Sequence, residues 1–465
     1  MRRMARALSF VLLAACGGAS GKPVVVPHAP ASDIDPDGSH REAVAAQVKP
    51  FIDGEIARGL VIGIYDAGHT EIYGFGEGVG GKPPNGRTLF EIGSITAAYT
   101  SLLLADSIQR REVEIDTPLS ELVPPGITVP TRDKRPITLL QLALHTSGLP
   151  RLPESITRKA ASLDPYAGYT EDALYGDLIH TELVTPPGSQ ISYSNFGVGV
   201  LGFVLGRKIG GGYAAALTER ILKPLELNDT FVTVPAAQQS RRITGTNDDL
   251  APTPPWTYDA LAGSGALVST ARDQLRLIDL ELDAADGSHR TLRPAMKLTQ
   301  EPQLEHSGDN EGIGWNIDST GRYWHNGGSG GFHAFLTFDK KTRRGVVILA
   351  STASALVDRL ADNLYRILDN EAVEPVKFPT AEQLAPLAGK YAVSDTQIAI
   401  VAVGKRLYID GPGEPRHRLV PLSDHEFWIE AFQTAAVFER DGSTVVRVVF
   451  GGADHQISAT RVPQS

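Results

Sequence analysis

At 465 residues the chain is longer than one hydrophobic core ordinarily fills, so roughly two to three folded units are expected. Hydrophobic residues make up 42% and charged residues 21%, the balance of a globular protein rather than a disordered or fibrous one. A formal net charge of −10 argues against nucleic acid as a partner, because phosphates need basic patches.

The chain opens "MRRMARALSFVLLAACGGASG": a basic start (Arg2, Arg3, Arg6), a short apolar run from Ala7 to Ala15, then small residues. This pattern predicts a secretory signal over residues 1–15; the run is too short to span a bilayer. Cys16, the only cysteine in the chain, follows it. "LLAAC" resembles the lipobox of bacterial lipoproteins, in which the cysteine is lipidated and becomes the mature N-terminus. The expectation is an exported protein, lipid-anchored in the bacterial cell envelope on the periplasmic side. The alternative is an ordinary signal cut, with Cys16 incidental. One cysteine also leaves no disulfide framework. Residues 16–40 are rich in Pro, Gly, Ser and Asp and read as the lipidated cysteine and its tether.

From residue 41 the texture changes. "REAVAAQVKPFIDGEIARG" carries apolar residues at helical spacing; "LVIGIYDAG" and "TEIYGFGEG" read as two strands joined by a turn. "ITAAYTSLLLADSIQRREV" predicts a helix, as do "TLLQLALH", "FGVGVLGFVLGRKI" and "STARDQLRLIDLEL". "RRGVVILAS" reads as a buried strand and "ALVDRLADNLYRIL" as the helix after it. Strands at both ends with helices between them predict an α+β unit over 41–370, one antiparallel sheet covered by helices. A linker is expected at 371–384. Residues 385–465 read as all strand, with hairpins at "QIAIVAVGKRLYIDG" and "AAVFERDGSTVVRVVFGG", and predict a small β-barrel or sandwich without a chemical motif of its own.

The chemistry starts at "EIGSITAAYT". A serine where a helix begins faces unpaired N–H groups and the positive end of the helix dipole, which suits a nucleophile. It equally suits an N-cap, and Gly-Ser alone does not decide between them. Four further motifs follow in order: "ITLLQLALHTSGLP", "PPGSQISYSNFGVGVLG", "LAGSGALVSTARD" and "YWHNGGSGGF". Together with "FEIGSITAAYTSLLLADSI" they resemble the serine β-lactamase and penicillin-binding-protein superfamily. Within it they are most similar to the class C-like branch with its D-alanyl-D-alanine carboxypeptidases and esterases. The resemblance covers about residues 41–370, and the C-terminal β segment is similar to the lipocalin-like domains appended to such proteins.

The resemblance implies roles residue by residue. Ser94 matches the nucleophile, which attacks a carbonyl and forms an acyl-enzyme. Tyr193 matches the proton relay, and Asn195 the residue that binds the substrate amide. His325 would supply positive charge or a hydrogen bond, and Gly327 would let substrate approach the strand. The N–H groups of Ser94 and Gly328 would form the oxyanion hole. A peptide or small molecule with a carbonyl centre is the implied substrate.

One position departs from the pattern. The signature is S-x-x-K, and here it reads Ser94-Ile95-Thr96-Ala97. A lysine one turn after the serine would place an amine beside its oxygen; alanine provides none. Lys159, Lys208 and His325 are the substitutes weighed by residue type.

Other patterns have blander readings. "GVGVLG" (197–202) follows a polar stretch rather than a strand, so close helix packing explains it better than a dinucleotide site. "GGSGG" (327–331) reads as a turn, and His145 as a structural hydrogen-bonder. No His-Glu-x-x-His pattern or Cys/His cluster occurs, so no metal site or cofactor is expected. Two functions remain: a serine hydrolase with reduced or altered activity, or an inactive relative that binds peptidoglycan peptides or a protein partner in the same cleft.

Overall fold

The computed structural model describes residues 33–463, apart from 160–161, 283–287, 307–308, 414, 430–431, 433 and 452–455. The expected signal, Cys16 and most of the expected tether lie outside the described residues. The last residues of that tether, 33–40, lie on the folded body: Asp35 exchanges hydrogen bonds with Ile72, and Arg272 pairs with Asp33.

Strand β1 (Gly59–Asp66) and strand β2 (His69–Gly76) form the predicted hairpin. Two short strands, β3 (Phe90–Glu91) and β4 (Val268–Ser269), pair separately. Then come β5 (Leu304–His306), β6 (Asp309–Glu311), β7 (Asn316–Ile317), β8 (Tyr323–Gly328), β9 (His333–Asp339) and β10 (Arg344–Ala350). The main sheet is antiparallel, in the order β2-β1-β10-β9-β8-β7-β6-β5. The first strands therefore lie against the last, as "RRGVVILAS" returns beside "LVIGIYDAG".

β1 is apolar on both faces because both are covered. Leu60, Ile62 and Ile64 point to one core, where Val44, Val48 and Phe51 of the helix Arg41–Asp53 meet Leu360 and Leu364 of the helix Leu360–Leu368. Val61 and Tyr65 alternate to the other core, shared with the helices Thr96–Gln109, Asn195–Ile209 and Ala271–Glu281. The "GVGVLG" helix packs as expected: a Cβ at Gly199 would fall 2.4 Å from the Leu261 side chain, and one at Gly202 would fall 2.8 Å from Gly263 Cα.

The C-terminal segment is a closed antiparallel barrel of eight strands: β11 (Gly389–Val393), β12 (Thr396–Val403), β13 (Arg406–Asp410), β14 (His417–Pro421), β15 (Glu426–Ile429), β16 (Thr434–Asp441), β17 (Thr444–Gly451) and β18 (Gln456–Arg461). Its hairpins turn at Gly404–Lys405, where the sequence placed it, and at Gly442–Ser443, one residue past the expected Asp441-Gly442 turn. Leu384 and Leu387, from the helical turn before β11, join its core.

Candidate active site

The chain leaves β3 through Ile92 and enters a tight turn, Gly93–Ile95, that continues as the helix Thr96–Gln109. Gly93 has φ +51°, and a Cβ on it would fall 2.6 Å from the Gly328 nitrogen, so only glycine fits. The turn is fixed from behind by the "LAGSGALVSTARD" segment: Ile92 N donates to Leu267 O (3.0 Å), and Leu267 N donates to Thr96 Oγ1 (3.1 Å). Ser94 is thereby held half-buried at the positive end of a helix, as its motif predicted. Ala97, on the next turn, is buried.

Strand β8 runs up against this turn. A Cβ on Gly327 would lie 2.2 Å from Ile92 O and 2.5 Å from the Ser94 nitrogen, so the strand reaches Ser94 only because residue 327 has no side chain. The Ser94 and Gly328 backbone nitrogens thus sit on two facing segments, the arrangement an oxyanion hole needs.

Tyr193 and Asn195 arrive at the start of the helix Asn195–Ile209, which Ser194 caps by accepting from Gly197 N (2.9 Å). Burial pushes the Tyr193 pKa above the ordinary 10, opposed by the nearby Ser94 side chain and by the charge of Arg151. The Arg151 guanidinium lies 5.2 Å from the centre of the Tyr193 ring. On the ring's other contact, His145 packs at 4.3 Å. His145 accepts at Nδ1 from the Ser194 N–H (3.1 Å), the structural role expected of it. Burial, with His325 and Arg151 nearby, pushes His145 down to about 3, so it is neutral at pH 7.

His325 lies on β8 and is buried. A carbonyl can only accept, so its Nδ1 carries the proton donated to Asn326 O (2.6 Å) and its Nε2 is an acceptor. Burial lowers its pKa to about 4. Of the two contributions weighed for His325, the positive charge is therefore not met at neutral pH, whereas a hydrogen bond is available. Lys159 is exposed and donates to Ala167 O (3.3 Å), and Lys208 lies exposed at the far end of the Asn195 helix, thirteen residues or roughly 20 Å along its axis.

The comparisons with known proteins agree with this geometry. The family model described as Beta-lactamase matches residues 44–371. The chain belongs to the beta-lactamase family. Within this family of serine hydrolases, the chain is 28% identical over 317 residues to the D-alanyl-D-alanine-carboxypeptidase/endopeptidase AmpH of Escherichia coli (strain K12), covering 64% of this chain and 80% of that one. It is 25% identical over 281 residues to a beta-lactamase of the same strain, covering 59% and 70%. Among solved structures, the D-alanine carboxypeptidase AmpC from Burkholderia cenocepacia superposes with a TM-score of 0.62 at 22% identity, covering 71% of this chain and 99% of that chain, a likeness of fold. The barrel lies beyond the residues that the family model matches.

Two parts of this beta-lactamase-family cleft were not foreseen. Arg151 carried no motif signal. Nor did the aromatic wall: Tyr166 stacks on Tyr258 at 4.5 Å, packs on Trp256 at 5.3 Å, and accepts at its hydroxyl from Asn195 Nδ2 (3.1 Å). Burial pushes Tyr166 up to about 12. Glu91, three residues before Ser94, ties this wall to the Ser94 turn by accepting from Trp256 N (3.2 Å) while pairing with Arg242.

Proposed function

We propose that the protein is an envelope-anchored serine hydrolase that acts on peptide, lactam or ester carbonyls through an acyl-enzyme on Ser94, with activity reduced because Ala97 stands where the family has lysine. The observation that carries this reading is the approach of Gly327 and Gly328 to the Ser94 backbone, with the Tyr193 side chain near Ser94. In the proposed cycle Ser94 Oγ adds to the carbonyl carbon as its proton passes to the minor, ionised form of Tyr193, and the oxyanion takes the Ser94 and Gly328 N–H groups. Collapse expels the leaving group, which receives that proton, and water then hydrolyses the ester. Asn195 orients the substrate amide, and His325 Nε2 accepts a hydrogen bond from the substrate. The lipid on Cys16 holds the protein on the periplasmic side of the membrane, with residues 371–384 linking hydrolase and barrel.

The buried methyl of Ala97 favours a second reading, an inactive relative that binds peptidoglycan peptides or a partner in the same cleft. Covalent labelling separates the two. A fluorophosphonate and a fluorescent penicillin are expected to label the wild type slowly and Ser94→Ala not at all. No labelling of the wild type at any pH up to about 10, where tyrosine itself ionises, leaves the binding reading.

A further inference from the structure

The barrel meets the hydrolase body at several places: Lys405 donates to Asp53 O (2.6 Å), Arg406 pairs with Glu55, and Arg359 of the body donates to Leu422 O (3.1 Å). One further contact leads toward the cleft. On the barrel, Arg406 and Tyr408 of β13 and Arg418 of β14 face a turn of the body at Asp248–Asp249. Tyr408 donates its hydroxyl proton to Asp249 Oδ1 (2.7 Å), and Arg406 Nη1 donates to Asp249 O (2.7 Å). Arg418, 3% exposed, donates from Nη1 to Asp248 O and to Glu55 O (2.9 Å). The gripped turn is closed locally by Asn247, whose Oδ1 accepts from Asp249 N (3.0 Å) and Ala251 N (2.9 Å), yet it holds one strained residue. Leu250 has φ +61°, in the left-handed region, where a branched side chain persists only if its surroundings hold it.

The turn is joined to the site at both ends. On the near side, Thr246 N donates to Gly331 O (3.1 Å), in the loop that follows β8. On the far side, seven residues after Asp249, stands Trp256, whose ring nitrogen donates to Leu163 O (2.8 Å) and whose ring packs on Tyr166. Tyr258 follows, stacked on the same tyrosine, which receives the Asn195 amide.

We infer that the barrel is a positioning domain for the substrate cleft. Arg406, Tyr408 and Arg418 hold the 248–250 turn, the turn sets the course of residues 251–258, and that course places Trp256 and Tyr258 against Tyr166 and so orients Asn195. The inference rests on the reading of this cleft as the substrate site, and it assigns these barrel residues a role in substrate affinity rather than in the bond-breaking step.

The test uses the full chain with Tyr408→Phe and Arg406→Gln, singly and together, and with Arg406→Lys as the conservative variant. Amide hydrogen exchange over residues 249–258 is expected to quicken roughly three- to tenfold in the double variant, the weight of one or two hydrogen bonds, with no other change in the body except beside Glu55, which Arg406 also pairs. Arg406→Lys is expected to recover part of that protection. With the fluorescent penicillin, non-covalent affinity is expected to weaken by a similar factor while the limiting acylation rate stays at the wild-type value. Unchanged exchange over 249–258 overturns the proposal, as does a loss of protection spread through the whole body. A wild type that fails to acylate while the exchange change is local sinks the hydrolase reading and leaves the barrel's grip on the wall standing.

Discussion

At Ala97 a methyl group replaces the amine that would lie beside Ser94, and the charge left to act on Tyr193 is that of Arg151. A cation in close contact lowers a pKa by about 1–3 units. Arg151 sits over the ring rather than at the hydroxyl and is exposed to water, which screens it, so burial wins and Tyr193 keeps its proton at pH 7. Missing base catalysis typically lowers a rate on the order of 10²–10⁴-fold. Because the shift is upward, the basic form of Tyr193 stays a minority below pH 10 and grows about tenfold with each pH unit. Acylation is therefore expected to climb with pH and show no plateau below 10. Ala97→Lys is expected to bring a plateau below 10 and to raise the pH 7 rate on the order of 10²-fold, read from the rate of penicillin labelling. A folded Ala97→Lys protein that stays inert would show a second defect. Ser94, Tyr193 and Asn195 were legible because their motifs occur in a fixed order along the chain. Arg151 was not: it follows "HTSGLP" as an unremarked polar residue, and only the folded path of that loop brings it over Tyr193.

At the scale of elements, glycines set how closely helix and strand can meet. Gly327→Ala would drive a methyl into the backbone at Ile92 and Ser94. It is expected to abolish labelling and to cost about 1–3 kcal/mol in a denaturant melt. Gly176 offers the contrast. It lies inside the helix Glu171–His180 with ordinary φ and nothing within 4 Å of its Cβ position, so Gly176→Ala is expected to stabilise by about 0.5–1 kcal/mol and leave labelling unchanged. The long elements were readable because their apolar residues keep a period of 3.6 or 2 over many positions, as in Leu60, Ile62 and Ile64 on one face of β1. Strands β5 to β7, two or three residues each, are too short to show any period and exist because β8 offers them an edge. The aromatic wall was hidden for a related reason: Tyr166, Trp256 and Tyr258 come from two distant loops, and no local pattern links them.

The whole molecule joins two units that the sequence distinguishes by texture: a mixed body matched by the beta-lactamase family model and an all-β barrel beyond it. What the texture does not tell is how late the body closes. Tyr65 on β1 pairs with Gly345 on β10, 280 residues further along the chain. At the roughly 5–20 residues per second of synthesis, β1 waits about 14 to 56 seconds for that neighbour, with one apolar edge open to wrong partners. Nascent chains arrested at residue 330 are therefore expected to be digested readily by protease, since the central pair of the sheet cannot form; resistance at that length would mean that the body closes without β10. The same delay has a use. A chain whose first strand cannot finish folding until its last has been made stays open long enough to be threaded unfolded through a membrane channel, which is what the proposed signal over residues 1–15 would demand of it.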